Sequence, residues 1–150
     1  MALRAACDGR MSNVLQSIVL VNPAIDDGVV ATCTPLERAV SVLAVAGRLD
    51  RVIRYDGSRA PFLAAEQWFE VVATDVSRCT AVSTLRSVSD QVVVNDGAGC
   101  MGCASLYSIA NGGHTWPGAA DAVNGAAIGD FALTDTIAEI VSGRLNSCGQ

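Results

Sequence analysis

The chain has 150 residues, of which 51% are hydrophobic and 17% charged. This composition excludes a disordered chain, and the length suffices for a buried core, so we predict a single domain over residues 1–150. The net charge is −5 and we find no Lys/Arg cluster, which argues against a nucleic-acid partner. Apolar runs such as residues 18–21 are too short to cross a membrane, and no signal peptide is recognisable.

The predicted elements begin with a helix. Residues 2–8 are strong helix formers that end at Gly9, a natural C-cap. Residues 14–21 and 40–45 are β-branched and apolar, which is typical of strands buried on both faces. Two such strands separated by a loop predict a parallel sheet.

A second helix is expected to begin at Pro61, because proline favours the first turn, and to end near Asp75. Weak alternation over residues 80–95 and alternation over 104–109 predict a strand, a turn at 95–99 and another strand. The sheet should therefore continue beyond its first two strands.

Residues 111–118 are dense in glycine and must form a loop. The pair Thr136 and Glu139 has the spacing of a capping box, which predicts a last helix to about Leu145.

Six cysteines are many for a cytosolic domain of this size. Their even number favours disulfides and an oxidising compartment over buried thiols, but the sequence leaves the pairing open. They are Cys7, Cys33, Cys79, Cys100, Cys103 and Cys148.

Asp50 and His114 are the candidate acid and base. Asp50 follows the predicted strand 40–45, at the strand end where functional side chains gather in parallel sheets. His114, the only histidine, follows two glycines in the predicted loop, and imidazole can transfer a proton in both directions near neutral pH. The alternatives are a solvated turn aspartate and a structural loop histidine.

Several motifs carry a resemblance that covers almost the whole chain. They are Gly112-Gly113-His114-Thr115-Trp116-Pro117-Gly118, Gly47-x-x-Asp50-x-Val52-x-x-Tyr55-x-Gly57, Trp68 followed by Cys79, and Cys33-x-Pro35. Together they closely resemble the polyhydroxybutyrate depolymerase, acetylxylan esterase and feruloyl esterase family of the α/β-hydrolase superfamily.

The resemblance implies a fold and a site. The fold would be α/β, a partial or minimal α/β-hydrolase with a few-stranded, mostly parallel sheet and flanking helices. Asp50 would be the triad acid and His114 the base, and we predict that Trp116 and Tyr55 contact the substrate. The substrate would be a small or polymeric carboxylic ester, no cofactor or metal is expected, and the protein would be secreted or periplasmic.

The chain departs from the family pattern at two points. Where the family usually has His-Gly-Thr, this chain has Ala46-Gly47-Arg48, which brings a cation near the acid. The resemblance also places the nucleophile elbow before Met1, and no serine here has the small neighbours of an elbow.

Cys100 is a possible substitute nucleophile, because Ala98-Gly99-Cys100-Met101-Gly102 has the small-x-nucleophile-x-small pattern and a thiolate can pair with a histidine. The resemblance instead implies a disulfide between Cys100 and Cys79. A redox or zinc pair with Cys103 is a third alternative, although a second ligand pair is missing.

Three hypotheses follow. The first is a carboxylic ester hydrolase that uses Asp50 and His114 without an in-chain serine. The second is a non-catalytic hydrolase-like module that binds ligands or itself, for which a homo-oligomer is predicted because an exposed strand edge invites pairing. The third is direct activation of water by the same pair, with no acyl-enzyme.

Overall fold

In the computed structural model, residues 1–12, 14–33, 37–118 and 132–141 are described. Five strands in these ranges form one sheet, in the order β1-β2-β5-β4-β3. They are β1 (Ser17–Val21), β2 (Ser41–Gly47), β3 (Ala81–Ser89), β4 (Val92–Ala98) and β5 (Ala104–Ile109). The strands β1, β2 and β5 are parallel, whereas β4 and β3 continue the sheet in antiparallel pairing.

The expectation of a mostly parallel, helix-flanked sheet is wrong. Two of the four strand pairings are antiparallel, and the helices of the described residues are short. The reason lies in residues 80–95, which form a hairpin where the sequence predicted one strand. Its turn, Asp90-Gln91, lacks the glycine that usually marks a two-residue connection, whereas Asn95-Asp96-Gly97, predicted as a turn, lies inside β4.

The helices are α1 (Ala2–Cys7), α2 (Gly9–Ser12), α3 (Asp27–Val30), α4 (Ala65–Val71) and α5 (Leu133–Val141), with a π-helical segment Val72–Val76 after α4. The helix predicted over residues 2–8 is confirmed. The one predicted from Pro61 starts later, because Leu63 donates its backbone N–H to Ile25 O at 2.8 Å and Phe62 bridges to Asp26. The last helix is present, but it begins at Leu133, so the capping box predicted at Thr136 and Glu139 is wrong: Thr136 lies inside the helix and its hydroxyl donates to Ala132 O at 3.3 Å. The predicted end of this helix at Leu145 lies outside the described residues.

The sheet has an apolar cluster on each face. One cluster joins Trp68 and Phe69 of α4 to Leu106 and to the small residues of β2. The other, on the opposite face, brings Leu133 of α5 against Val45, Val94 and neighbouring side chains. Because successive strand residues point to opposite faces, a strand covered on both sides must be apolar throughout. This explains why β2 is apolar from Val42 onward.

Disulfide bonds link cysteines at or near the ends of these elements. Cys7, the last residue of α1, is bonded to Cys33, and Cys79 before β3 is bonded to Cys100 after β4. The disulfide expected between Cys79 and Cys100 is therefore confirmed. Cys103 is also disulfide-bonded. These bonds indicate an oxidising, extracellular-like environment.

Candidate functional site

Three polar residues follow the three parallel strands, each at the carboxyl end. Asn22 comes directly after β1, Asp50 follows β2 by three residues, and His114 follows β5 by five. Because β1, β2 and β5 are neighbours and parallel, their carboxyl ends meet at one edge of the sheet. The fold thus brings together side chains that are far apart in the sequence.

Asp50 and His114 form a hydrogen-bonded pair. Nδ1 of His114 lies 2.8 Å from Oδ2 of Asp50. Because a carboxylate only accepts hydrogen bonds, Nδ1 donates to it, and in the neutral ring the lone pair is then on Nε2. The Asp50 side chain is 1% exposed and that of His114 is 38% exposed. The pair therefore has a buried acid and a base that solvent can reach.

The Asp50 carboxylate is held by its own loop as well. Its Oδ1 accepts backbone N–H groups from Val52 at 2.7 Å and Ile53 at 2.9 Å. These bonds fix one carboxylate oxygen and direct the other toward the imidazole. The alternative reading of Asp50 as a solvated turn residue is wrong, because the side chain is buried and fully engaged.

Asn22 connects the loops that carry Asp50 and His114, a role that was not predicted from the sequence. Its Oδ1 accepts the backbone N–H of Gly47 at 2.9 Å, and its Nδ2 donates to Gly113 O at 3.1 Å and Thr115 O at 3.3 Å. Its φ of 42° is in the left-handed region, which asparagine tolerates better than most residues. One feature of the sequence could have identified Asn22 as a site residue: it follows an apolar strand, which is also the feature that identified Asp50.

Two glycines let these loops touch. A Cβ built on Gly47 would clash with the backbone carbonyl of Gly112 and would lie 2.8 Å from Gly113 O. Beside this contact, Leu49 donates its N–H to Gly112 O at 2.8 Å. The backbone of the Asp50 loop therefore lies directly against that of the His114 loop, which sets the distance between acid and base.

Tyr55 and Arg48, which flank Asp50 in the sequence, contact each other. The Tyr55 hydroxyl is 2.7 Å from the Ser108 hydroxyl and donates to Oε1 of Glu66 at 3.1 Å. Burial of the ring raises the pKa of Tyr55 above its usual value, against the opposing effect of the Ser108 hydrogen bond. The Arg48 guanidinium lies over the ring, with 5.0 Å from Cζ to the centroid. Tyr55 was predicted to contact the substrate; its hydroxyl is hydrogen-bonded within the protein, and the substrate contact stays a prediction.

Trp116 lies two residues beyond His114 and is 46% exposed. Its Nε1 donates to the hydroxyl of Thr134 in α5 at 3.2 Å, which orients the ring. The prediction that Trp116 contacts substrate stays a prediction, and the structure places the ring in the loop that carries the base.

Cys100 does not meet the requirements of a nucleophile. Its sulfur is bonded to Cys79, so no thiolate is present to attack a carbonyl. The redox and zinc alternatives fail as well, because Cys103 is also disulfide-bonded. Within the described ranges, no group of three or more His, Cys, Asp or Glu side chains could hold a metal ion.

The described part of the chain shows no serine or cysteine hydrogen-bonded to the His114 ring. None of its helices has the length and apolar character needed to cross a bilayer. Comparison with protein-family models, curated proteins and solved structures gives no match.

Proposed function

We propose that this protein hydrolyses carboxylic esters, with His114 as the general base and acid and Asp50 as the residue that orients it. The observation that carries the proposal is the 2.8 Å contact between Nδ1 of a half-exposed histidine and a buried carboxylate that two backbone amides hold in place. The motif around His114 and its resemblance to depolymerases and esterases support the same chemistry. By that resemblance the protein is secreted or periplasmic, and its substrates are aryl, acetyl or hydroxyalkanoate esters.

In the proposed reaction, Nε2 of His114 takes the proton of an attacking hydroxyl group as its oxygen adds to the ester carbonyl. The Asp50 carboxylate stabilises the imidazolium that forms and keeps the proton of Nδ1 in place. When the tetrahedral intermediate collapses, the imidazolium returns the proton to the departing alkoxide. For this chain we propose water as the attacking group.

Turnover of 4-nitrophenyl acetate tests the proposal. Replacing His114 with glutamine removes the base, and we expect kcat/KM to fall by about 10²-fold or more. Arg10→Gln, which alters an exposed ion pair in α2, serves as the control prepared in parallel. Equal rates for wild type and His114→Gln would contradict the proposal. An initial burst of 4-nitrophenol would show that an acyl-enzyme accumulates, so that the attacking group is a side chain of the protein rather than water.

A second candidate function is self-association through β1. Within the described residues β1 pairs with β2 alone, and its sequence, Ser17–Val21, contains no charge or proline to protect the edge. Gln16 O accepts a hydrogen bond from β2, and Asn22 N donates one to β2. Because the backbone groups of successive strand residues point to alternate sides, those of Ser17, Val19 and Val21 point away from β2. We propose that a second copy adds its own β1 antiparallel to this edge about a two-fold axis.

Sedimentation velocity at micromolar concentration tests this second candidate. We expect a dimer for wild type and a monomer for Val19→Pro, because proline removes an outward N–H without removing a bond to β2. A wild-type protein that sediments as a monomer would contradict it.

A further inference from the structure

Arginines are concentrated in the segment that carries the acid. Residues 48–59, here called the arginine loop, contain four arginines against two aspartates, whereas the rest of the chain contains six arginines against thirteen acidic residues. No two of these arginines are adjacent, so they form no continuous basic run.

Most of these arginines form no ion pair with a described carboxylate. Within the described part of the chain, Arg48, Arg51 and Arg54 are exposed and none of them forms an ion pair. The Arg59 side chain instead contacts its own loop, because its Nη1 donates to Val52 O at 2.9 Å. The nearby acids are already engaged, since Asp50 binds His114 and Glu66 accepts from the Tyr55 hydroxyl. Asp56 accepts the Ser58 N–H at 3.0 Å, and its pKa is lowered by its hydrogen bonds to Ser58 and, to a smaller extent, by the charge of Arg54. A positive surface thus lies beside the catalytic pair in a chain of net charge −5.

Arg48 is the best placed of the four. It is two residues before Asp50, and its N–H donates to Ile109 O at 2.9 Å at the end of β5, the strand that leads to His114. Its guanidinium is held over the Tyr55 ring, and that ring is fixed by the hydrogen bond to Ser108. A guanidinium that packs its face on a ring keeps the N–H groups of its edge for a bidentate bond to a carboxylate.

We propose that the arginine loop is a subsite for a carboxylate group of the substrate, with Arg48 as its principal contact. The preferred substrates are esters that carry a free carboxylate elsewhere in the molecule. This inference rests on the proposed function for its position, but the subsite binds carboxylates whether or not the ester bond is cleaved.

A matched pair of esters measures the preference. Mono-4-nitrophenyl adipate and 4-nitrophenyl hexanoate have the same six-carbon acyl chain, and only the adipate has a carboxylate. We expect Arg48→Gln to lower kcat/KM for the adipate ester about tenfold and to leave the hexanoate ester within about twofold, because one charge-assisted hydrogen bond is lost. Arg48→Lys should recover part of the loss, and Arg10→Gln, with the same change in charge, should show none.

Binding of free adipate is followed without turnover. His114 is the only histidine, so its ring signals in an NMR spectrum report directly on this site. We expect adipate to shift them saturably in wild type and Arg10→Gln but not in Arg48→Gln, and 1,6-hexanediol to have no effect. An adipate response that persists in Arg48→Gln overturns the inference. An adipate response that depends on Arg48, in a protein that hydrolyses neither ester, contradicts the proposed function and supports the subsite.

Discussion

Asn22 shows how one side chain sets the geometry of the site. We predict that Asn22→Asp lowers the free energy of unfolding by about 1–3 kcal/mol, because a carboxylate cannot donate to Gly113 O and Thr115 O and leaves both carbonyls without their partner. Ester hydrolysis should fall as well, because the His114 loop loses its tie to β1. Chemical denaturation and the 4-nitrophenyl acetate rate, measured together, check this. Unchanged stability and rate would mean that Asn22 does not position the loop.

The buried phenol of Tyr55 predicts how the stability of the fold changes at alkaline pH. Burial holds its phenol neutral in the folded state and raises its pKa above 10. A raised pKa means that the contribution to stability is complete below pH 10 and is lost as the pH rises through the folded value. The chain has two tyrosines, so the phenolate absorbance of Tyr107→Phe reports Tyr55 alone. We expect its midpoint above pH 10, and a midpoint at or below 10 would show that the ring is not buried as described.

The sequence could identify Asp50 and His114 because each follows an apolar strand and lies in a distinctive motif. It could not predict their contact, which depends on β2 and β5 being neighbours although 56 residues separate Gly47 from Ala104. It could not show that the Tyr55 hydroxyl is taken by Ser108 and Glu66, since such bonds join distant elements. Hydrogen bonds of this kind follow from topology and leave no local pattern.

At the level of elements, the contact between β2 and the His114 loop depends on Gly47. We predict that Gly47→Ala lowers the free energy of unfolding by about 1–3 kcal/mol and reduces hydrolysis, because the added methyl group meets the rigid backbone of Gly112. Gly9→Ala is the matched control, since a Cβ there meets nothing within 4 Å and the change should stay within about 1 kcal/mol. Equal effects in thermal unfolding would contradict the close contact.

The disulfide between Cys79 and Cys100 joins the start of β3 to the end of β4, and the two cysteines are 21 residues apart. Replacing both with alanine should lower the free energy of unfolding by about 3 kcal/mol, since the unfolded chain gains the entropy of an open loop. Hydrolysis per folded molecule should persist. A folded double variant that has lost its activity would contradict a purely structural role for this disulfide.

For the whole molecule, the sequence predicted the parallel half of the sheet better than the antiparallel half. Buried parallel strands are continuous apolar runs, so β1 and β2 stand out. The hairpin of β3 and β4 alternates weakly, because β3 lies at an edge with Leu85 and Val88 exposed, and its turn lacks glycine. The predicted fold class is wrong because of this hairpin, whereas Asp50 and His114 both follow strands of the parallel half.

The most direct test of the central claim is the rate of 4-nitrophenyl acetate hydrolysis by Asp50→Asn relative to wild type. The amide keeps an oxygen for Val52 and Ile53 but presents its N–H₂ to the histidine, which places the imidazole proton on Nε2 and removes the base. We expect a fall of roughly a hundredfold or more in a protein that remains folded. A folded Asp50→Asn variant that hydrolyses the ester at the wild-type rate would contradict it.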